Sequence, residues 1–182
     1  MATATIIMPT LDIDLASQTS RLARQTAGVE TIIVMLWDYK MRGAVKTSNA
    51  LFKAALHCET PYIAYLNDDT VPKQQDWLRL LIQALEQDAR FGIACPSGEC
   101  GSGVQRTGKP GDAYAVKVVK TPLAWFCAAI KRQVFEDVGL FDEGFIHYGD
   151  ESDFIMRCHN KGWKQVWVKG VYIKHFRGQL DC

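Results

Sequence analysis

The chain has 182 residues, enough for one domain with a sizeable core. Its formal net charge of +1 is far from the strong basic excess of a general nucleic-acid surface. No apolar run approaches the ~18 residues of a membrane span, and no charged-then-apolar leader opens the chain, so a cytoplasmic location is expected.

Six cysteines, Cys58, Cys95, Cys100, Cys127, Cys158 and Cys182, show no C-x-x-C spacing and lie mostly in apolar runs. Reduced, buried thiols fit that pattern better than a disulfide frame. In chain order, Thr3 to Met8 is a β-branched run that reads as a buried strand stopped by Pro9. Pro9-Thr10-Leu11-Asp12 is then a loop at its carboxyl end. Ser17 to Ala27 reads as a helix, and Gly28 separates it from a second buried strand, Thr31 to Leu36, ending in Trp37-Asp38. Strand, helix, strand implies a parallel crossover. From Gly43 to His57, Ala44, Leu51, Ala54 and Ala55 recur at helical spacing.

The next strand, Ile63-Ala64-Tyr65-Leu66, ends abruptly in Asn67-Asp68-Asp69-Thr70. Carboxylates at the carboxyl end of such a strand sit where open α/β sheets bind ligands. Two adjacent acids repel unless a cation or ordered donors offset the cost, and a hard divalent metal carrying a diphosphate suits them. A solvated turn is the plainer alternative, since Asn and Asp are turn formers. Trp77 to about Gln87 follows as a helix with Trp77, Leu78, Leu81, Ile82 and Leu85 on one stripe, then a short strand from Phe91 to Cys95 halted by Pro96.

Composition shifts after this point. Ser97 to Asp112 holds five glycines and one proline, which predicts a long mobile loop. Within it, Gly103-Val-Gln-Arg-Thr-Gly108-Lys109 imitates a P-loop, but Pro110 stands where a metal-binding hydroxyl is needed and strand-like Tyr114 to Val119 follows instead of a helix. Beyond the apolar run Leu123 to Ile130, a short helix from Lys131-Arg132 to Val138 is expected, ended by Gly139. Trp125 and Phe126 in that run read as core. An aromatic loop leads to Gly149-Asp150-Glu151-Ser152-Asp153 and a helix from Ser152 to Lys161, and Trp163 to Lys174 supplies one or two strands closed by His175.

Six segments together resemble the family-2 inverting glycosyltransferases of the GT-A fold, on the rhamnosyltransferase-like branch. They are Met8-Pro9-Thr10, Arg42-Gly43-Ala-Val-Lys46-Thr-Ser-Asn49, Leu66-Asn67-Asp68-Asp69-Thr70, Ile130 to Glu143, Tyr148-Gly-Asp150-Glu151-Ser-Asp153, and Gly162-Trp163 with His175. The resemblance implies a single domain over 1–182 built on a mixed, mostly parallel sheet flanked by helices. Residues 1–95 would bind the nucleotide sugar and 96–182 the acceptor. It implies hexosyl or deoxyhexosyl transfer from a UDP-, GDP- or dTDP-sugar to a glycan or glycoconjugate hydroxyl, with no nucleic-acid partner and with peripheral membrane contact as an option. Pro9, Thr10, Asp38, Lys46, Asn67 and Asp68 would bind the donor, Asp38 at the nucleobase, Asn67 and Asp68 at the ribose and metal shell. Asp69 and His175 would hold Mn²⁺ or Mg²⁺.

Inversion needs a base opposite the leaving group, and Glu151, Asp150 and Asp153 are the candidates. The family order of glutamate then aspartate is here Asp150-Glu151; register puts Glu151 at the base position, with Asp150 second. Helix N-terminal acids stabilised by the macrodipole are the structural alternative. Two other functions share these residue types: a nucleotidyltransferase, and a nucleotide-sugar or glycan-binding module of weak catalytic power. Pro9 to Asp12 lacks the Gly-rich basic loop that the first would need.

Overall fold

The computed structural model describes residues 2–145 and 149–176. Seven strands form one sheet in the order β2-β1-β3-β7-β5-β8-β6. They are β1 (Ala4–Thr10), β2 (Thr31–Trp37), β3 (Tyr62–Leu66), β5 (Phe91–Ser97), β6 (Ala115–Val119), β7 (Cys127–Lys131) and β8 (Lys164–Tyr172). Two further short strands, β4 (Thr70–Val71) and β9 (Lys174–His175), pair with each other as a separate antiparallel ribbon. β1, β2, β3, β5 and β8 run one way, and β6 and β7 run against them, so the sheet is mixed and mostly parallel. β7 lies between β3 and β5, which knits residues from both halves of the chain into one sheet.

Alternation along the strands explains the layers. Ile6, Met8, Ala64, Leu66, Ala129 and Val166 face one side, where α1 (Ile13–Thr26) and α3 (Trp77–Leu85) cover them. Ile7, Ile63, Ala128, Ile130 and Trp167 face the other, under α2 (Ala44–His57), α4 (Arg132–Val138) and α5 (Asp150–Asn160). A three-layer α/β/α sandwich follows, and Trp125 and Phe126 are core, each 2% exposed. Cys58, Cys95, Cys127 and Cys158 are thiols outside any disulfide, the last three buried and Cys58 partly exposed. No helix among the described residues is long and apolar enough to cross a membrane.

Several boundaries differ from expectation for identifiable reasons. Pro9 does not stop β1, which runs on to Thr10 beside β2. The Thr10 carbonyl accepts from Asp38 N–H on the β2 side, so Pro9 turns its missing N–H toward β3, whose pairing with β1 has ended at Ile7–Tyr65. Pro96 is tolerated in β5 similarly, because pairing with β7 ends at Ala94. α1 begins at Ile13, four residues before the expected Ser17, because Asp12 Oδ1 caps it by accepting from Asp14 and Leu15 N–H. α5 begins at Asp150 and not Ser152.

The Ser97–Asp112 segment departs most. It is no loose loop: a 3₁₀ turn, Gly103–Thr107, opens on a Ser102–Gln105 capping box and buries Gln105 completely. The Gln105 amide donates to the Pro96 and Ala124 carbonyls, and its oxygen accepts from Ser102 and Ala124 N–H. A polar anchor does what apolar burial would otherwise do, which glycine counting could not reveal.

Gln105→Ala removes an amide that satisfies several buried backbone groups, so unfolding free energy should fall by about 2–3 kcal/mol. Urea denaturation measures it; a midpoint within error of wild type would mean the segment is not anchored there.

Candidate functional site

At the carboxyl ends of β1, β2 and β3 the helices leave a cleft of about 600 Å³, lined by Pro9, Thr10, Leu11, Asp38, Met41, Arg42, Gly43, Ala44, Thr47, Tyr65, Asn67, Asp68 and Asp69. Brought together here are Pro9, Thr10, Asp38, Asn67, Asp68 and Asp69 of the residues expected from sequence. Lys46 is exposed on α2 and does not line the cleft; Thr47, one position on, does.

Asp38 closes one end and is 4% exposed. Burial alone would push its carboxyl up, but Arg42 Nε donates to Oδ1 at 3.1 Å and Gly43 N–H to Oδ2 at 3.0 Å, and such bonds hold it down at about 2. It is therefore an anionic acceptor throughout the working pH range. Gly43 can present its N–H because its φ of 101° is open to glycine, and it doubles as the N-cap of α2.

The acidic turn is held from three sides. Thr10 Oγ1 donates a short 2.5 Å bond to Asp68 Oδ2. Thr19 Oγ1 on α1 donates to the Asp68 carbonyl at 2.6 Å, and Thr70 Oγ1 closes the turn onto the Asn67 carbonyl at 2.7 Å. Burial raises the Asp68 carboxyl, and the Asp69 charge adds to this while Thr10 opposes it.

At the cleft's edge, pairing of β4 with β9 sets Thr70 opposite His175, and Phe176 N–H bonds the Asp69 carbonyl at 2.8 Å. This brings His175 Nε2 to 2.9 Å from Asp69 Oδ1. The pair is close without being a well-formed hydrogen bond: Oδ1 is buried and has no hydrogen-bond partner, as is true of His175 Nδ1. Asn67 Nδ2 lies 3.5 Å from His175 Nε2, and the Phe126 ring stacks on the imidazole at 5.4 Å and 19°. A carboxylate oxygen without a hydrogen-bond partner and an imidazole nitrogen 2.9 Å from it are donor types that fit a divalent cation of the Mn²⁺ type. Among the described residues no group of three or more His, Cys, Asp or Glu side chains is placed to hold a metal.

On the other side of Tyr65 sits α5. Trp125 N–H donates to Glu151 Oε1 at 3.3 Å, and the Trp125 ring lies 6.3 Å from that of Tyr65. Tyr65 lines the cleft and feels the charges of Glu151, Asp150 and Asp68; burial raises its phenol first, and those charges raise it further. Burial, then the Asp150 charge, pushes Glu151 up to about 7, against the Trp125 N–H. A carboxyl poised near neutrality can take a proton at working pH. Asp153 is engaged elsewhere: its Oδ2 accepts from Arg157 Nε at 2.8 Å, and Arg157 also donates to the Val138 and Leu140 carbonyls, which ties the α4 end to α5. Tyr148 of the same motif lies outside the described residues.

No known protein-family profile matches the chain, and no curated protein does. Among solved structures, one described as the crystal structure of GalNAc-T7 with UDP, GalNAc and Mn²⁺ matches with a TM-score of 0.69 at 12% identity. The match covers 98% of this chain and 45% of that one, so the chain spans less than half of that protein's length. The shared feature is the fold: a GT-A type α/β sandwich, as the six segments implied.

The Glu151 carboxyl gives a pH signature. Its folded value, about 7, stands above its ordinary 4.5, so the folded state holds a proton that the unfolded chain has released across that window. The stability it lends is full below the lower value and lost as pH rises through the higher. Between those limits wild type should lose stability with rising pH relative to Glu151→Gln in chemical denaturation. Parallel pH profiles would show that the carboxyl is not held protonated.

Proposed function

We propose that the chain transfers a sugar from a nucleoside-diphosphate donor to an acceptor hydroxyl with inversion, as a metal-dependent family-2 glycosyltransferase. The observation that carries this reading is the convergence of Asp69 Oδ1 and His175 Nε2, 2.9 Å apart, at the edge of the cleft formed by the carboxyl ends of β1, β2 and β3. The crystallised neighbour's UDP and Mn²⁺ agree with it in kind.

In this reading Asp38 and its neighbours take the nucleobase, and Thr10, Asn67 and Asp68 line the path to the diphosphate. Asp69 and His175 hold the cation, and Mn²⁺ suits an imidazole better than Mg²⁺ does. When bound, that ion supplies positive charge against the diphosphate leaving group. Glu151 takes the proton of the acceptor hydroxyl as that oxygen attacks the anomeric carbon and the bond to the diphosphate breaks. Its raised proton affinity and its place across Tyr65 from the acidic turn support the assignment. Asp150 keeps Glu151 basic through its charge. Asp153 acts as a positioning residue by bonding Arg157. The donor half is proposed as 1–95 and the acceptor half as 96–182.

Two substitutions separate metal from base. Asp69→Ala should abolish Mn²⁺-dependent stabilisation by nucleoside diphosphate while the apo protein stays folded, since one of two crowded acids is gone. Thermal shift with and without Mn²⁺ reads this, and an undiminished shift rejects the site. Glu151→Gln should lower kcat by a factor on the order of 10²–10⁴ with donor affinity little changed. Should Glu151→Gln turn over normally while Asp150→Asn is dead, the base is Asp150. A wild type that binds donor with Mn²⁺ yet neither transfers nor hydrolyses it would favour the binding-module reading.

A further inference from the structure

Thr47 is 2% exposed on the first turn of α2, lines the cleft, and carries a buried Oγ1 with no hydrogen-bond partner. Helical hydroxyls normally settle this locally by bonding the carbonyl four residues back. Ser17 does so with Ile13 and Thr26 with Leu22, each at 2.8 Å. Thr47 does not, although Gly43, its i−4 residue, is available and accepts from the Thr47 backbone N–H at 3.1 Å. Thr47 is also the last and smallest of the influences lowering Asp38, yet it stands in no hydrogen-bond geometry with that carboxylate.

A buried hydroxyl left without a partner costs free energy, so its retention at a cleft wall points to a partner that arrives with the ligand. What surrounds it narrows that ligand. Asp38 accepts one bond each from Arg42 Nε and Gly43 N–H, and a carboxylate has about four acceptor positions, so lone pairs remain. Because Asp38 stays ionised it can only accept, and a ring nitrogen that is itself an acceptor would be repelled there. Arg42 spends Nε on Asp38 and is half exposed at the cleft, leaving guanidinium N–H groups for a carbonyl. Pro9, Leu11 and Met41 add apolar walls fit for a flat ring.

Resting on the nucleotide-sugar reading above, we infer that Thr47 is a donor-binding residue. Its hydroxyl completes, with Asp38 and Arg42, a polar edge that selects nucleobases presenting a ring N–H beside a carbonyl. Uracil, thymine and guanine qualify; cytosine and adenine, whose corresponding ring nitrogens only accept, do not.

The test uses isothermal titration of the whole chain with UMP, GMP, CMP and AMP in EDTA, which removes the metal from the question. Wild type should prefer UMP or GMP to CMP and AMP. Thr47→Val, which keeps shape and removes the hydroxyl, should weaken the preferred nucleotide about 2- to 10-fold, the range for one neutral hydrogen bond. Thr47→Ser should restore it. The apo melting temperature of Thr47→Val should equal or exceed that of wild type, because an unpaired buried hydroxyl is gone. Unchanged affinity in Thr47→Val, or a lowered apo melting temperature, overturns the role of Thr47 and leaves the proposed function standing. A preference for CMP or AMP overturns the base selection. If wild type binds none of the four, and no nucleoside diphosphate when Mn²⁺ is restored, both this inference and the proposed function fall.

Discussion

The two-residue pairing of β4 with β9 is the constraint on which the site depends. Asp69 and His175 are far apart in the sequence, and this ribbon sets them side by side. An isolated two-stranded ribbon is marginal in water, so its neighbours must hold it. Thr19 donates from α1 into the acidic turn, Phe126 stacks on the imidazole, and Cys100 Sγ lies 3.6 Å from the His175 carbonyl. The Gln105 anchor contributes at one remove. It ties the segment bearing Cys100 to the start of the Ala124–Phe126 run, whose last member meets His175.

Electrostatics divides the carboxylates into different chemistries on one scaffold. Asp38 and Glu151 are both largely withdrawn from water, which by itself favours the neutral acid. Arg42 and the Gly43 N–H reverse this for Asp38, whereas Glu151 receives one opposing backbone bond and a second negative charge from Asp150. A permanent acceptor at one end and a carboxyl near neutrality at the other follow from those neighbours and not from residue type. Such divergence is what acid–base work requires. Tyr65 lines the cleft, the buried Trp125 ring packs 6.3 Å from it, and Trp125 N–H holds Glu151, which is not among the residues lining that cleft.

Much of this was legible in the residues. The apolar runs around Ile6, Ile63 and Ile130 mark strands because burial on both faces demands continuous hydrophobicity, whereas the run around Ile33, expected as a buried strand, forms the partly exposed edge strand β2. Asn67-Asp68-Asp69 marks a ligand end because adjacent acids after a buried strand need a reason. Legibility failed where long-range geometry overrides local preference. Pro9 and Pro96 read as stops, yet each faces a place where a neighbouring strand has already ended. Thr70–Val71 and Lys174–His175 are too short to carry any period, so their pairing was invisible. Lys46 and Thr47 could not be ranked without the phase of α2, which turns the hydroxyl inward and the ammonium outward. The Gln105 anchor is a polar network, and a single buried glutamine leaves no periodic trace.

If the ribbon makes Asp69 and His175 one cation site, their contributions to cation-dependent nucleotide binding must be coupled. A double-mutant cycle of Asp69→Asn and His175→Ala, read by titration of UDP in the presence and absence of Mn²⁺, measures that coupling directly. The account predicts that each single variant loses most of the Mn²⁺-dependent affinity and that the double variant loses little more, a coupling of about 1–3 kcal/mol. Strictly additive losses, or an unchanged Mn²⁺ dependence in His175→Ala, would contradict it.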